Sequence, residues 1–470
     1  MKKILLSAAL ILGLPVCVMA SDNTDQATTN YESTQWEYYA AEDYDGGTGT
    51  ADDPYLIATV EQFMKLAVEI ANKAADDNNW ESDYSYGKYW KQTADLVFNE
   101  DVLSRVKFSS GDASSLSSTS DLLTFTGIGY YLDEYDYQVF AGEYDGDGHS
   151  ISGLYMSVSS NKSTGLFNNI WYGTVKNLIV EDAYLSGNAN VGLIAGKIEN
   201  GATIYNCQTS GIIYCGGSYH AGIAGYVDQS QVYNCVSDAW LWAKNQDAGI
   251  AGRGSHSSAI TNCFFCGWIG AVTSNVSKFT AWGAIVSELG VLSGEDYYIE
   301  YYDESGNLLE DNADNTAADS AYICENPSTV TNCYWTDTCT VRHLESSEIA
   351  AVDPTQSNLG VVENSYAVSI DDLATTVDSL NATAETLTGA CSWELNDDNM
   401  PVLTFTVVGP EEESTEDEET DDATAISSVK TAAGATVTAR YTLSGSQTNS
   451  NDRGVQILRY SDGTVKKVIK

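Results

Sequence analysis

The chain repeats a short pattern between about Gly165 and Trp335. A Gly-Leu/Ile-x-x-Gly step recurs, and an Asn-Cys step follows it roughly ten residues later. The cysteines of three successive Asn-Cys steps, Cys207, Cys235 and Cys263, are 28 residues apart. A fixed period in this range is typical of stacked supersecondary units. The repeat therefore predicts a solenoid, in which each unit packs mainly against its two neighbours.

Each repeat unit consists of short apolar runs separated by Gly, Asn and Ser. One unit has such runs at Val191–Ile198, Ala202–Cys207 and Ile212–Cys215, which have strand lengths and no helical periodicity. Three strands per unit predict an all-β fold, a three-sided, right-handed parallel β-helix with turns about 4.8 Å apart. Equivalent positions stack in such a fold, so the repeated cysteines are expected to form an interior column of small buried side chains. Cys263 and Cys266 form an isolated CxxC, which does not favour a zinc or redox site.

The first 20 residues have the pattern of a secretory signal peptide. Lys2 and Lys3 precede an apolar core, Ile4–Val18, and cleavage is expected after Ala20. The protein is therefore expected to be exported to the cell surface, the exterior of the outer membrane or the medium. No other apolar run reaches transmembrane length. Nine cysteines remain after cleavage, and their disulfide connectivity in an oxidising compartment stays open.

The chain is strongly acidic, with 66 Asp and Glu against 22 Lys and Arg and a formal charge of −44. Such a charge argues against nucleic acid, anionic membranes and acidic polysaccharides as partners. The same charge is compatible with binding of a divalent cation such as calcium. No motif specifies such a site, and no cofactor is expected. The Asp145-Gly146-Asp147-Gly148 stretch lacks EF-hand spacing and is interpreted as a tight turn, not as a calcium loop or a catalytic carboxylate pair.

Composition divides the chain into five segments. These are a signal peptide (1–20), a flexible acidic leader (21–45), the repeat body (46–405), an acidic linker (406–424) and a small β-sandwich-like C-terminal domain (425–470). Within the body, Thr59 and Gln62 form a capping box at the start of an amphipathic helix that is expected to cover the first turn. A second amphipathic helix over Ser369–Leu387, followed by Trp393, is expected to form the opposite cap.

An insertion over Leu289–Ala321 interrupts the repeat. Tyr297–Asp303 and Asn307–Glu310 flank a Glu-Ser-Gly turn and predict a hairpin that projects from the solenoid. Insertions in solenoids often lie on the binding face, and exposed tyrosines suit contacts with sugars or proteins. The candidate ligand contacts are the tyrosines of this insertion, Tyr297, Tyr298, Tyr301 and Tyr302. An ordinary twisted ribbon is the alternative.

The sequence lacks a recognisable catalytic constellation. The seven Lys and Arg residues between Phe140 and His343 are scattered and form no evident cluster of the kind a polysaccharide lyase needs: Lys162, Lys176, Lys197, Lys244, Arg253, Lys278 and Arg342. The histidines are also far apart: His149, His220, His256 and His343. No HExxH motif or nucleophile elbow is present. The chain is therefore expected not to be an enzyme, with no catalytic residue assigned, and a glycan-cleaving carboxylate pair stays as an alternative.

The repeat body resembles the GLUG-motif repeats of secreted bacterial surface proteins, adhesins and large proteases. The resemblance is carried by the Gly-Leu/Ile units, such as Gly192–Gly196, and by two lead-in stretches, Gly47–Ile57 and Tyr144–Leu154. It covers roughly residues 46–405 and implies the architecture while saying little about activity. Two units depart from the motif, because Asn168 stands where the motif has Gly and the unit around Gly283 is degenerate.

The C-terminal domain resembles the sorting domains of proteins exported by the type IX secretion system. The matching stretches are Arg440–Gly445, Gly454–Arg459 and Asp462–Val468. The candidate sorting residues are Tyr441, Leu443, Gly445, Gly454, Ile457, Gly463 and Lys467. The resemblance implies delivery to, or through, the cell surface and contact with the secretion machinery.

These features together predict a secreted or cell-surface, adhesin-like solenoid that binds a host or environmental glycan or protein. The hypothesis rests on the signal peptide, the repeat body, the sorting-like tail and the missing catalytic constellation. Two alternatives stay open. One is a carbohydrate-active enzyme, either a glycoside hydrolase or a polysaccharide lyase, on a β-helix. The other is a passive structural stalk.

Overall fold

The computed structural model describes most of the chain between residues 31 and 410, and three strands after it. The described residues are 31–72, 83–109, 112–116, 119–129, 131–133, 136–158, 163–243, 245–271, 282–289, 298–302, 308–309, 319–323, 328–339, 341–342, 348–349, 361–410, 437–442, 455–460 and 465–469. The predicted signal peptide lies outside them. The chain divides into two units, Met1–Pro410 and Glu411–Lys470.

The first unit is a parallel β-solenoid with two long sheets. Sheet 1 contains nine parallel strands: Tyr55–Ile57, Tyr89–Gln92, Glu143–Asp145, Thr174–Lys176, Thr203–Tyr205, Gln231–Tyr233, Ala259–Thr261, Thr329–Thr331 and Val361–Glu363. The main path of sheet 2 contains eight parallel strands: Leu96–Val97, Ser150–Ser152, Ile179–Ser186, Gln208–Tyr214, Val236–Ala243, Phe264–Phe265, Tyr334–Thr336 and Tyr366–Val368. Four more strands join sheet 2 beside this path: Tyr155–Ser157, Trp268–Ala271, Val341–Arg342 and Glu348–Ile349.

Two shorter parallel sheets complete the central turns. Sheet 3 contains Phe167–Trp171, Ala195–Glu199, Ala224–Asp228, Ala251–Ser255 and Val286–Leu289. Sheet 4 contains Ala189–Gly192, Ser218–Ala221, Asn245–Ala248 and Trp282–Gly283. A central turn therefore has four strands, one from each sheet, where the sequence predicts three. The predicted parallel β-solenoid is confirmed, and the extra strand arises because the Gly-Leu/Ile-x-x-Gly step bends the chain.

This glycine step forms the corner between sheets 4 and 3. Leu193 and Ile194, at its centre, are fully buried in the core. A Cβ at Gly192 would lie 2.3 Å from a backbone carbonyl oxygen of the next strand, and one at Gly196 would lie 2.5 Å from the amide nitrogen of Thr164. Atoms do not tolerate such distances, so only glycine allows the backbones to approach this closely. The same steric demand in successive turns explains why the step repeats.

The Asn-Cys step supplies the predicted interior column of thiols. Cys207, Cys235, Cys263 and Cys333 are fully buried in the core and are free cysteines. Each Sγ lies 3.2–3.4 Å from the carbonyl oxygen two residues before it. The column is confirmed, and among the described residues no group of three or more His, Cys, Asp or Glu side chains could hold a metal ion.

The asparagine of the step forms a ladder at the corner between sheets 1 and 2. Its six members all have φ between 46° and 55°: Asn177, Asn206, Asn234, Asn262, Asn332 and Asn364. Asparagine tolerates this left-handed conformation better than most residues. Nδ2 of Asn206 donates to Oδ1 of Asn177 at 2.8 Å, and Nδ2 of Asn234 and of Asn262 each donate one turn back in the same way, at 2.8 and 2.7 Å. The ladder is interrupted after Asn262, whose Oδ1 is buried without a hydrogen-bond partner.

Helix α1 (Val60–Asn72) covers the core at the first turns. The amide of Gln62 donates to Oγ1 of Thr59 at 3.3 Å and the amide of Thr59 donates to Oε1 of Gln62 at 3.2 Å, which confirms the capping box. Phe63 is fully buried, and its ring packs edge-on against Phe98 and Tyr144 at centroid distances of 5.9 and 5.6 Å. The helix therefore keeps water from the apolar interior of the solenoid.

Residues 31–45 do not form the predicted flexible leader. A 3₁₀ helix, Trp36–Tyr39, lies against the body, and the amide of Trp36 donates to the carbonyl of Thr124 at 2.9 Å. The carboxylate of the buried Glu37 accepts hydrogen bonds from the amide and the hydroxyl of Thr126. The acidic composition favoured a solvated segment, but its aromatic side chains bury apolar area against the first turns. Residues 21–30 of the predicted leader lie outside the described residues.

The second helix is not an end cap. Helix α2 (Leu373–Ala384) follows a 3₁₀ turn (Ile370–Asp372) and lies lengthwise on sheet 2. Its buried side chains pack on a column that crosses successive turns, formed by Val236, Phe264 and Tyr334. An antiparallel hairpin, Cys391–Leu395 with Pro401–Val407, follows the helix. The outer face of sheet 2 is apolar at this column, so the amphipathic helix buries its apolar side chains along the side of the solenoid.

The same segment covers the asparagine ladder. The amide of Cys391 donates to Oδ1 of Asn206 at 3.0 Å, while Nδ2 of Asn206 donates to the carbonyl of Gly389 at 2.8 Å. The body extends to Pro410, since the amide of Gly389 donates to the Pro410 carbonyl at 2.7 Å. The predicted linker therefore starts later than residue 406. Its residues from 411 to 424 lie outside the described residues.

The remaining described elements of the first unit are small. Two hairpins, Val106–Ser109 with Asp112–Leu116 and Tyr131–Asp133 with Asp136–Tyr137, and a 3₁₀ turn, Leu103–Arg105, lie outside the four sheets. Neither helix in the described part of the chain is long and apolar enough to span a membrane. The second unit contributes one antiparallel sheet of three strands, Val437–Thr442, Val455–Tyr460 and Val465–Ile469.

Candidate functional site

The predicted insertion forms an antiparallel sheet. Tyr298–Tyr302 pairs with Leu308–Leu309, which confirms the hairpin, and also with a third strand, Asp319–Ile323, that the sequence analysis did not find. Leu289 is not part of the insertion, because it ends a strand of sheet 3 and is fully buried.

The four candidate tyrosines of this insertion are described unequally. Tyr297 lies outside the described residues. Tyr298 is opposite Ile323, while Tyr301 and Tyr302 are each paired on both sides. Only the backbone is described at Tyr298, Tyr301 and Tyr302, so their predicted role as ligand contacts stays a prediction.

A column of large apolar side chains runs along the outer face of sheet 2. Its members are in register across successive turns: Tyr155, Tyr184, Ile212, Trp240 and Trp268. The residue after each of them is buried in the solenoid core: Met156, Leu185, Ile213, Leu241 and Ile269. Because side chains alternate along a strand, the column faces outward. We call this column, together with Tyr214 and Trp242 beside it, the tryptophan strip.

The chain itself covers half of the tryptophan strip. The part of the chain that packs on its first turns, here called the covering segment, contains Val102, Val106 and Leu122. Tyr184 and Ile212 are consequently 6 % and 5 % exposed, whereas Trp240, the next member of the column, is 44 % exposed. A covered half and an open half therefore share one continuous apolar surface. Of the two column members in the open half, Trp240 is exposed and Trp268 is partly buried, so Trp240 is the main apolar side chain that this half presents to solvent.

The open half has a defined aromatic geometry. The ring centroids of Trp240 and Trp268 are 6.2 Å apart, and those of Trp242 and Trp268 are 4.3 Å apart, each pair with an interplanar angle of 54°. The indole of Trp268 lies over Gly270, where an added Cβ would be 2.0 Å from a Trp268 ring carbon. Trp242 beneath it is 4 % exposed, and its indole N–H is buried without an acceptor. Gly270 thus leaves the space that the Trp268 ring occupies.

The sequence analysis missed the tryptophan strip, although its signal was present. Ile212, Trp240 and Trp268 are 28 residues apart, the period that defines the repeat. Applying the period to aromatic residues as well as to glycine and cysteine would have predicted an outer aromatic column. The covering segment carries no such signal, because it lies outside the repeat.

The outer face of sheet 3 brings together charged residues that are distant in sequence. Lys197, Tyr226 and Arg253 are in register on successive turns. The Lys197 ammonium and the Arg253 guanidinium lie 4.9 and 5.0 Å from the centroid of the Tyr226 ring, within the range of a cation–π contact. The prediction that the Lys and Arg residues are scattered is therefore wrong for Lys197 and Arg253. Lys197 also pairs with Glu199 of its own strand at 2.6 Å, while the two cation–π contacts join neighbouring turns.

Each of the three described histidines, His149, His220 and His256, pairs with a carboxylate, and His343 lies outside the described residues. His220 and Asp247 are fully buried, with Nδ1 2.6 Å from Oδ1, and burial raises the pKa of Asp247. His256 pairs with Asp228, but Oγ of Ser255 also donates to Asp228, at 3.1 Å, so these three side chains do not have the order of a catalytic triad. The structure thus gives His220 a buried structural contact.

The acidic stretch at Asp145 is a turn, as predicted. Oδ1 of Asp145 accepts hydrogen bonds from the amide of Asp147 at 2.8 Å and from Nδ2 of Asn177 at 2.9 Å. Gly148 has φ of 79°, which suits glycine. A separate open groove of about 460 Å³ is lined by four carboxylates: Glu100, Asp101, Glu181 and Asp182. Asp182 accepts hydrogen bonds from the amides of Val102 and Leu103 there, so it holds the covering segment in place.

The sorting-like residues are described only in part. Tyr441, Ile457 and Lys467 are opposite one another on the three strands of the C-terminal sheet. Leu443, Gly445, Gly454 and Gly463 lie outside the described residues. Three of the predicted residues thus occupy one cross-strand row.

Comparisons with known proteins show limited similarity. No protein-family model matches the chain. A stretch of 189 residues, 40% of this chain, is 30% identical to Halomucin from Haloquadratum walsbyi, and it spans 2% of that protein. A crystal structure of a candidate immunoglobulin A1 protease from Bacteroides ovatus is similar with a TM-score of 0.46 and 19% identity, over 78% of this chain and 98% of that one.

Proposed function

We propose that the protein is an exported, adhesin-like binding solenoid whose ligand contacts the open half of the tryptophan strip. One observation carries the proposal: a single apolar column is covered by the chain at Tyr184 and Ile212 but is 44 % exposed at Trp240. Tryptophan and tyrosine supply a large share of binding energy at interfaces, since they bury much area and lose little conformational entropy. The parallel solenoid holds these side chains on paired strands, which favours a preorganised surface.

Binding of the full chain to arrays of matrix proteins, mucins and glycans tests this proposal. Trp240→Ala should weaken retention of whichever ligand binds by at least about 10-fold, a typical effect of removing an anchoring aromatic residue. Tyr38→Ala is the matched control, because Tyr38 is a 58 % exposed aromatic residue outside the strip. Equal losses in both variants would remove the strip from the proposal. The same array, assayed for released reducing ends or unsaturated sugars, tests the enzymatic alternative.

We also propose that residues 425–470 direct the protein to the cell surface. The support is the resemblance of this segment to type IX sorting domains, together with its three antiparallel strands. Deletion of the segment should leave the solenoid folded, because the first unit ends at Pro410, and should abolish labelling of the protein on intact cells. Surface labelling at the level of the intact chain would contradict the sorting role.

A further inference from the structure

We propose that the ligand of the open half of the tryptophan strip is a neutral glycan chain, with its pyranose rings stacked on Trp240 and Trp268. This inference rests on the proposed binding function and specifies its ligand class. Three features of this face support a neutral glycan: the arrangement of its aromatic rings, the pairing of its backbone on both strand edges and its charge.

The arrangement of the rings suits a polymer of six-membered rings. Trp240 and Trp268 occupy equivalent positions on adjacent turns, with ring centroids 6.2 Å apart. One face of a pyranose presents C–H groups that pack on an indole, while its edge presents hydroxyls to water or to polar groups. Tryptophan matches this division because it has a large apolar face and one N–H donor.

The backbone beneath the strip is not available to a peptide. The strand Val236–Ala243 pairs with Gln208–Tyr214 on one edge and with Trp268–Ala271 on the other. A peptide that binds by strand addition needs an open edge with unpaired amides and carbonyls. Recognition at this face therefore depends on side-chain surfaces, and the described ones at its centre are aromatic. This favours a chain of rings over an extended peptide.

The charge of the surface disfavours an anionic glycan. The chain has a formal charge of −44, and such a field repels acidic polymers during association. Asp238 is exposed on the same strand, two residues before Trp240. Arg105, on the covering segment, is paired with Asp121 at 2.7 Å. The described charged groups on this face therefore supply no cationic cluster for carboxylate or sulfate groups.

Titration calorimetry with defined oligosaccharides tests the inference on the full chain. The neutral probes are hexamers of β-1,4-glucose, β-1,3-glucose, β-1,4-xylose, β-1,4-mannose and N-acetylglucosamine; the anionic probes are hyaluronan and polygalacturonate hexamers. We expect at least one neutral hexamer to bind and neither anionic hexamer to do so. Trp240→Ala should weaken the neutral complex at least about 10-fold, whereas Trp240→Phe, which keeps an aromatic face, should weaken it less than about 3-fold.

A glycine variant tests the geometry without removing an aromatic residue. Gly270→Ala introduces a Cβ 2.0 Å from the Trp268 ring, so it should displace that ring and weaken binding about 10-fold. Gly216→Ala is the matched control, because its added Cβ would meet no atom within 4 Å, and it should bind like the parent. Thermal unfolding of both variants establishes that the solenoid remains folded.

Each outcome decides a different point. If no neutral hexamer binds but a matrix protein does, and Trp240→Ala abolishes that binding, the ligand class is wrong while the proposed function stands. If a neutral hexamer binds equally to the parent and to Trp240→Ala, the strip is not its site. If hyaluronan or polygalacturonate binds more tightly than the neutral hexamers, the charge argument is overturned, and Arg342, which is opposite Gly270 in sheet 2, becomes the residue to test.

Discussion

The asparagine ladder should contribute strongly to stability, and Asn234 is the member that tests this best. Its side chain is fully buried and makes four hydrogen bonds. Nδ2 donates to Oδ1 of Asn206 at 2.8 Å and to the carbonyl of Cys391 at 2.9 Å. Oδ1 accepts from Nδ2 of Asn262 at 2.7 Å and from Nε1 of Trp393 at 2.7 Å. One side chain therefore joins three turns of the solenoid to the C-terminal hairpin.

The cost of removing this side chain follows from its partners. Asn206 and Asn262 each lose their hydrogen bond to Asn234 but keep a second one. Each lost bond should therefore cost about 1 kcal/mol. The indole N–H of Trp393 loses its acceptor inside the protein, which should cost about 2 kcal/mol. With the bond to Cys391, Asn234→Gly should lower the free energy of unfolding by about 5 kcal/mol. Glycine is the replacement of choice because φ at Asn234 is 52°, where alanine would add backbone strain.

Urea unfolding followed by tryptophan fluorescence measures this change. With a slope near 3 kcal/mol/M, the midpoint should fall by about 1.7 M. Asn364→Gly is the matched control, since Asn364 has the same conformation, with φ of 46°, but is exposed and makes two side-chain hydrogen bonds. Water replaces those bonds, so the control should cost about 1 kcal/mol. Equal midpoints for the two variants would refute the argument that the ladder stabilises the solenoid cooperatively.

Three further predictions concern buried titratable groups. His220→Leu should lower the free energy of unfolding by about 3–5 kcal/mol because it leaves the buried Asp247 unpaired. In urea unfolding, the double variant with Asp247→Leu should recover most of that lost stability. No recovery would contradict the pairing. Burial raises the pKa of Glu37, so the folded state favours the protonated side chain. The resulting contribution to folding stability is complete below a pH of about 4.3 and is lost as the pH rises through the raised pKa. The stability of Glu37→Gln relative to the parent should therefore rise between pH 4 and pH 8 in chemical unfolding, and a flat difference would argue against the shift. Burial also raises the pKa of Cys339 and Cys391 to about 12, so both thiols should react with Ellman's reagent only after unfolding, and rapid native labelling would contradict their burial.

The sequence analysis was accurate where the signal is periodic. The spacing of Cys207, Cys235 and Cys263 predicted both the solenoid and the interior column, because a stacked unit repeats its steric demands at every turn. The capping box at Thr59 was also predicted correctly, since its hydrogen bonds join residues three positions apart. Signals of this kind are local or repeated, so they can be recognised along the chain.

Two of the errors concern segments outside the repeat. The acidic residues of 31–45 suggested a flexible leader, and the amphipathic α2 suggested an end cap. The acidic composition of 31–45 showed no apolar face, and the periodicity of α2 showed an apolar face but not the surface that this face would cover. The position of α2 depends on a column of apolar side chains from separate turns and on Asn206 and Asn234 of the ladder. Such a surface exists only after the turns have stacked.

The sequence by itself determined the repeating architecture, because the 28-residue period fixes which residues stack and which glycines the corners require. Only the tertiary structure decided which parts of the outer surface stay open. The column that contains Tyr184 and Trp240 is uniform in register, yet the non-repeating segment at Val102 and Leu122 covers one end and leaves Trp240 exposed. Contacts between segments far apart in the chain have no periodic signature, so the candidate binding surface could be located only in the folded molecule.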